Sequence, residues 1–200
     1  RARLPRPFLP TLPTDENDPT VAIQSILEPA TVPGVETALL LTGPRGSGRA
    51  AAVRAVAARL GWHVHQVSMA EARGLPADRA AALVDEAMER ARACAPAVLL
   101  LTDFASLGPD EGGGGSGGAS AGAGATAGKP EDPDLVAAAL RRGVFHASPV
   151  TLVATCERVD DAPPVLRACF THELGMPPLD TVARRAQALR DLAWERGVVL

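Results

Sequence analysis

Ala38-Leu39-Leu40-Leu41-Thr42-Gly43-Pro44-Arg45-Gly46-Ser47-Gly48-Arg49-Ala50 is the stretch that decides the fold of this chain. Its first five residues form a short apolar run closed by glycine, which reads as a strand buried on both faces. The Ala-rich segment from Ala50 to Leu60 favours helix, and Gly61 stands where a helix-ending glycine belongs. Between strand and helix, Gly43, Gly46 and Gly48 let backbone N–H groups converge at the positive helix end, a geometry suited to phosphate oxygens. The phosphate-loop pattern G-x-x-x-x-G-K-[ST] is met in its two glycines and its strand–loop–helix setting, but its last two positions read Arg49 and Ala50. Arg49 keeps a cation, although a planar guanidinium on a longer stem does not simply replace an ammonium. Ala50 has no hydroxyl with which to ligate Mg²⁺. The candidate nucleotide-binding residues are Gly43, Pro44, Arg45, Gly46, Ser47, Gly48, Arg49 and Ala50.

Outward from this motif, strands and helices alternate. Trp62 to Val67 reads as a second strand. Pro76-Ala77-Asp78 opens a helix to about Ala95, with Val84, Met88, Ala91 and Ala95 on one stripe and Asp85, Glu86, Glu89, Arg90 and Arg92 facing water. Pro96 stops it. Ala97 to Thr102 is a third strand, Thr151 to Thr155 a fourth and His172 to Met176 a short fifth. The alternation indicates an α/β fold with a parallel sheet and flanking helices. A nucleoside triphosphatase of this kind needs an Asp for Mg²⁺ at the end of the third strand, and many follow it with a Glu that activates water. One register puts Thr102 at the metal position and Asp103 at the base position; a slip by one puts Asp103 on the metal and Phe104 at the base. Either register lacks one acid.

The 200 residues carry 20 Lys+Arg against 23 Asp+Glu, a net charge of −3 that gives no reason to expect nucleic acid as a partner. The 46 % hydrophobic content excludes a wholly disordered chain. No apolar run approaches the roughly 20 residues that span a bilayer, and the N-terminus has neither an initiator Met nor a signal-peptide pattern. We therefore expect a soluble protein without a direct membrane span, excised from a longer chain. Residues 1–35 read as a Pro-rich linker with a short helix started by Asp18-Pro19 and ending near Leu27. Residues 36–179 read as the α/β domain, and 180–200 as the start of a small helical lid, with Val182, Ala186, Leu189 and Ala193 in helical spacing. Gly112 to Gly128 holds nine of the 19 glycines and reads as a flexible surface insertion; a phosphate loop there would lack the regular strand-to-helix placement. Cys94, Cys156 and Cys169 suggest neither a disulfide framework nor a zinc site, which fits a reducing compartment. His63, His65, His146 and His172 have no metal spacing, so no metal site is expected.

From about Thr37 to Asp180, this order of elements resembles an AAA+ ATPase module, a P-loop NTPase of RecA-like α/β fold: the altered phosphate loop, the helix ending at Pro96, the Leu-rich third strand and Leu152-Val153-Ala154-Thr155 as sensor strand. Ala95-Pro96-Ala97-Val98-Leu99-Leu100-Leu101-Thr102, Leu60-Gly61-Trp62-His63-Val64 and Cys169-Phe170-Thr171-His172-Glu173-Leu174 are most similar to the first, degenerate module of the peroxin six family of peroxisome-biogenesis ATPases. That resemblance implies a heterohexamer with peroxin one, docked to the peroxisomal membrane by a tail-anchored protein and withdrawing the ubiquitinated import receptor to the cytosol. It also implies that hydrolysis resides mainly in a second module. The sensor position, an Asn in active members, is Cys156, which cannot orient a water as an amide does; as an unpaired Cys it also reads as a small buried hydrophobe. Arg167 is the arginine-finger candidate, and an ordinary solvated arginine is the alternative. No aromatic residue lies between Ser68 and Asp78, where active unfoldases grip substrate.

The expectation is a nucleotide-responsive ring element with weakly held ATP, poor support for Mg²⁺ and no catalytic residue of its own, located in the cytoplasm and peripherally at the peroxisome. The rivals are a slow but active P-loop ATPase of another AAA+ family, using Arg49 and Asp103 with groups from a neighbour, and an adaptor without nucleotide.

Overall fold

The structure is a computed structural model describing residues 19–31, 37–107, 133–144, 150–183, 185, 186 and 189. The linker before residue 19, the Gly112–Gly128 insertion, His146 and most of the lid segment lie outside the described residues. In chain order the elements are α1 (Pro19–Leu27), β1 (Ala38–Thr42), α2 (Arg49–Leu60), β2 (His63–Ser68), α3 (Ala77–Ala93), β3 (Ala97–Thr102), α4 (Pro133–Val144), β4 (Val150–Cys156), α5 (Pro164–Arg167) and β5 (His172–Gly175).

All five strands lie parallel in one sheet of order β2-β3-β4-β1-β5. The sheet is covered on both faces, as its unbroken apolar strands require. Leu39 and Leu41 of β1, Val98 and Leu100 of β3 and Val153 of β4 pack with Ile23 and Leu27 of α1 and Val53 and Val56 of α2. The alternate residues Leu40, Leu99, Leu101, Leu152 and Ala154 pack with Val84 and Met88 of α3 and Val136 and Leu140 of α4. Each such fully buried leucine contributes roughly 1.5–3 kcal/mol relative to exposure. The edge strands are less covered, and the two edges carry His63 and His65 on β2 and His172 on β5.

Several boundaries differ from the sequence reading. The second helix ends in a glycine cap in which Gly61, at φ 74°, donates to Ala58 O and Trp62 donates to Ala57 O at 2.8 Å. The Trp62 N–H thus belongs to the helix cap, and β2 starts at His63. The third helix stops at Ala93, because a residue before proline is pushed out of helical backbone; Ala95 is exposed and leaves the predicted stripe. Helix α4 has no counterpart in the sequence reading, although Pro133 at its start, Asp134 in its first turn and the Val136/Leu140 spacing signal it. It packs so close to α3 that a Cβ on Gly143 would stand 2.4 Å from Met88 Cε.

Candidate functional site

The site is built at the carboxyl ends of the central strands, where a doubly wound sheet opens a crevice for ligands. The turn after β1 is held by its glycines. Gly46 and Gly48 have φ of 78° and 81°, in the left-handed region that only glycine adopts at little cost. Gly43, at φ 153°, lies so close to its surroundings that a Cβ would stand 2.6 Å from Met176 O and 3.2 Å from Ser47 Oγ. Ser47 N donates to Pro44 O at 3.1 Å, and Ala52 N donates to Gly48 O at 2.8 Å as the first turn of α2 forms.

Strand β4 lies beside β1, with Cys156 in register with Thr42, so its end buttresses the turn. Gly43 N donates to Glu157 O at 3.0 Å. The exposed Arg45 guanidinium pairs with the Glu157 carboxylate, and that hydrogen bond holds Arg45 charged above its usual range, with a smaller contribution from Asp103. Arg49 Nη1 donates to Gly43 O at 2.6 Å and also to Cys156 O. Cys156 is buried, and burial pushes its thiol up to about 11 against the opposing pull of Arg49. It is a neutral thiol at physiological pH.

The residues of the two registers part company at the end of β3. Val98 and Leu100 face α2, and Leu99 and Leu101 face α3 and α4, so pleating puts Thr102 on the face that carries the turn and α2. Phe104 is fully buried, edge-on to Phe170 with ring centroids 5.3 Å apart, and so does not stand at the site. Asp103 has φ 55°, a backbone that Asp tolerates better than most residues, and its Oδ2 accepts from Ser68 Oγ at 2.9 Å. Ser68 ends β2, on the side of β3 away from β4 and β1, so this hydrogen bond engages Asp103 on the far side from the turn.

Of the other candidates, Arg167 is engaged within its own chain: its Nη2 donates to Glu173 Oε2 at 2.9 Å and its Nε to Glu173 Oε1. The pair holds Arg167 above its usual range and Glu173 below its own. Among the described residues no group of three or more His, Cys, Asp and Glu could hold a metal ion. Glu157, Ser68 and Met176 are site residues that sequence reasoning missed. Glu157 follows the fourth strand directly, but no local signal pairs it with Arg45, 112 positions away.

A phosphate fits this turn. Ser47 is 2 % exposed, and among the described residues its Oγ has no hydrogen-bond partner. Such an orphaned hydroxyl costs about 1–3 kcal/mol, which a phosphate oxygen would relieve. The metal partners do not fit: Ala50 offers a methyl group, and Thr102, on the same face, offers a hydroxyl where a carboxylate is needed.

A model of the ATPase family associated with various cellular activities (AAA) matches residues 39–178. The chain is 36 % identical over 174 residues to the peroxisomal ATPase PEX6 of Mus musculus, covering 80 % of this chain and 16 % of that protein. With the Homo sapiens PEX6 it shares 30 % over 173 residues, 84 % of this chain and 16 % of the relative. With that of Arabidopsis thaliana it shares 25 % over 205 residues, 92 % of this chain and 21 % of the relative. The chain thus spans less than a quarter of the length of these relatives.

Proposed function

The chain belongs to the AAA family of ATPases, and from that premise we propose that it is a nucleotide-holding ring module with little or no hydrolysis of its own. The observation that carries this reading is the split within one site: a turn whose backbone retains a phosphate cradle, beside positions 50 and 102 that hold an alanine and a threonine. The backbone from Gly46 to Arg49 and the Ser47 hydroxyl would hold the phosphates, and Arg49 and Arg45 would supply positive charge. A bound ATP brings the triphosphate charge that these groups answer. Mg²⁺ is poorly supported here, since Ala50 offers no hydroxyl and Thr102 no carboxylate, while Asp103 accepts from Ser68 through Oδ2. Losing transition-state stabilisers of this kind slows reaction by orders of magnitude.

The similarity to PEX6 proteins supports a wider reading. The whole protein would act in peroxisome biogenesis as a heterohexamer with peroxin one, docked by a tail-anchored protein at the cytosolic face of the peroxisome and extracting the ubiquitinated import receptor. In that assembly this module contributes ring contacts that respond to nucleotide. No helix among the described residues is long and apolar enough to cross a membrane. The test is equilibrium binding of a fluorescent ATP analogue, with Mg²⁺ or with EDTA, alongside phosphate release. We expect binding that Mg²⁺ changes by less than about twofold (under ~0.5 kcal/mol) and no release above background. Turnover approaching roughly 1 s⁻¹, within the ordinary enzyme range, overturns the reading; absence of binding favours the adaptor.

A further inference from the structure

Arg49 stands where the phosphate-loop pattern has its lysine, yet in the structure its guanidinium is engaged inward. Its Nη1 donates both to Gly43 O, at 2.6 Å, and to Cys156 O. These carbonyls lie at the carboxyl ends of two neighbouring strands, since Thr42 and Cys156 are in register and Gly43 follows Thr42 directly. A single nitrogen of one side chain therefore bridges the end of β1 to the end of β4, and does so from the first residue of α2. Neither partner is a carboxylate, so the guanidinium charge is not neutralised by these bonds. The fork of an arginine has five N–H donors, and the two used here leave Nε and Nη2 outside the bridge.

We infer that Arg49 is a positioning residue that preorganises the phosphate turn in the absence of nucleotide, doing from inside the protein what a bound phosphate would otherwise do from outside. The inference rests on the nucleotide-holding reading only for its consequence, that a cradle already in shape loses less conformational freedom when it takes a ligand. The tie itself is made wholly within the chain, between Arg49 and the carbonyls of Gly43 and Cys156. It adds to the backbone bond from Gly43 N to Glu157 O, so the turn is fixed to β4 by both its backbone and Arg49. The position also accounts for arginine over lysine: an ammonium bonded to both carbonyls keeps one N–H, whereas the guanidinium keeps three.

The experiment is amide hydrogen exchange on the nucleotide-free protein, reading Gly43 and Ser47, whose N–H groups are bonded to Glu157 O and Pro44 O. Three proteins are compared: wild type, Arg49→Met, which keeps an unbranched stem without donors, and Arg49→Lys, which restores donors. In Arg49→Met the two amides should exchange at least tenfold faster, while the amides of α3, on the other face of the sheet, stay unchanged as the control for folding. Arg49→Lys should return them to within about threefold of wild type, as donors rather than packing make the tie. Wild-type exchange in Arg49→Met overturns the inference, as does failure of Arg49→Lys to slow exchange relative to Arg49→Met. If Arg49→Met also loosens α3, the comparison passes to Arg49→Leu, which likewise carries no donor, with the same two amides as readout and the same outcomes deciding. A separate titration with the fluorescent ATP analogue tells the two readings apart. Loss of protection in Arg49→Met with no nucleotide bound by any of the proteins retains the tie and removes the nucleotide-holding function.

Discussion

The turn after β1 and the end of β3 stand at the same edge of the parallel sheet but differ in what they offer a nucleotide. The turn holds Gly43, Gly46 and Gly48 at positive φ and carries positive charge at Arg45 and Arg49. The end of β3 presents Thr102 on the face of the turn and commits Asp103 to Ser68 of the outer strand. Holding phosphate depends mainly on backbone N–H groups, which survive changes of side chain as long as the glycines remain. Holding metal and priming water depend on particular oxygens, which a single substitution removes. On the proposed reading, the phosphate half of a nucleotide site can persist where the metal half is missing.

The largest effect expected from this contrast is at Gly43. Gly43→Ala places a Cβ 2.6 Å from Met176 O at a φ that side-chain-bearing residues rarely adopt. Overpacking and backbone strain together should cost about 3 kcal/mol in urea unfolding, whereas Ala50→Ser in the first turn of α2 should stay within roughly 0.5 kcal/mol of wild type. Equal costs would show that the backbone is not what has been retained. Next in size, combining Ala50→Ser with Thr102→Asp should make nucleotide affinity depend on Mg²⁺ by about tenfold, or ~1.4 kcal/mol, read by titration calorimetry with and without EDTA. A double variant still indifferent to Mg²⁺ would mean that more of the metal half is missing than these two side chains.

A smaller effect concerns Cys156 at the foot of the turn. Its raised pKa favours the neutral thiol in the folded protein, so its contribution to stability is present below the ordinary cysteine range and declines as pH rises toward about 11. At pH 7.5, iodoacetamide should label exposed Cys94 well before buried Cys156 and Cys169, read by peptide mass spectrometry. Early labelling of Cys156 would show that the end of β4 opens. The smallest effect belongs to Arg167 and Glu173. The pair lowers the Glu173 pKa, so its contribution is present above the usual glutamate range and is lost as pH falls below it. Both groups are well exposed, and Glu173→Gln should leave the unfolding midpoint at pH 7 without resolvable change.

Much of the fold is legible along the chain. Strand β1 matches its predicted bounds from Ala38 to Thr42, and β3 from Ala97 to Thr102; both are unbroken apolar runs bounded by clear signals. The misses have local causes: the cap at Gly61 takes Trp62, and Pro96 unwinds the end of α3 before Ala95. Helix α4 follows a long Gly-rich stretch of sequence, which interrupts the strand-and-helix alternation by which the other elements are read. Within the site, the glycines of the turn and the departures at Arg49 and Ala50 are visible in the sequence, because each is a property of one residue and its neighbours.

What the sequence determined by itself is therefore a glycine-rich turn between a buried strand and a helix, with Arg49 and Ala50 where the phosphate-loop pattern has Lys and then Ser or Thr. Only the tertiary structure decided that Arg49 turns inward to Cys156, 107 positions away, that Arg45 meets Glu157, and that Asp103 belongs with Ser68. The physical reason is that turn and helix signals are set by steric limits and hydrogen bonds a few residues long. These side-chain partnerships depend on strand order and register, which place β4 beside β1 and β2 beside β3 through packing on both faces of the sheet.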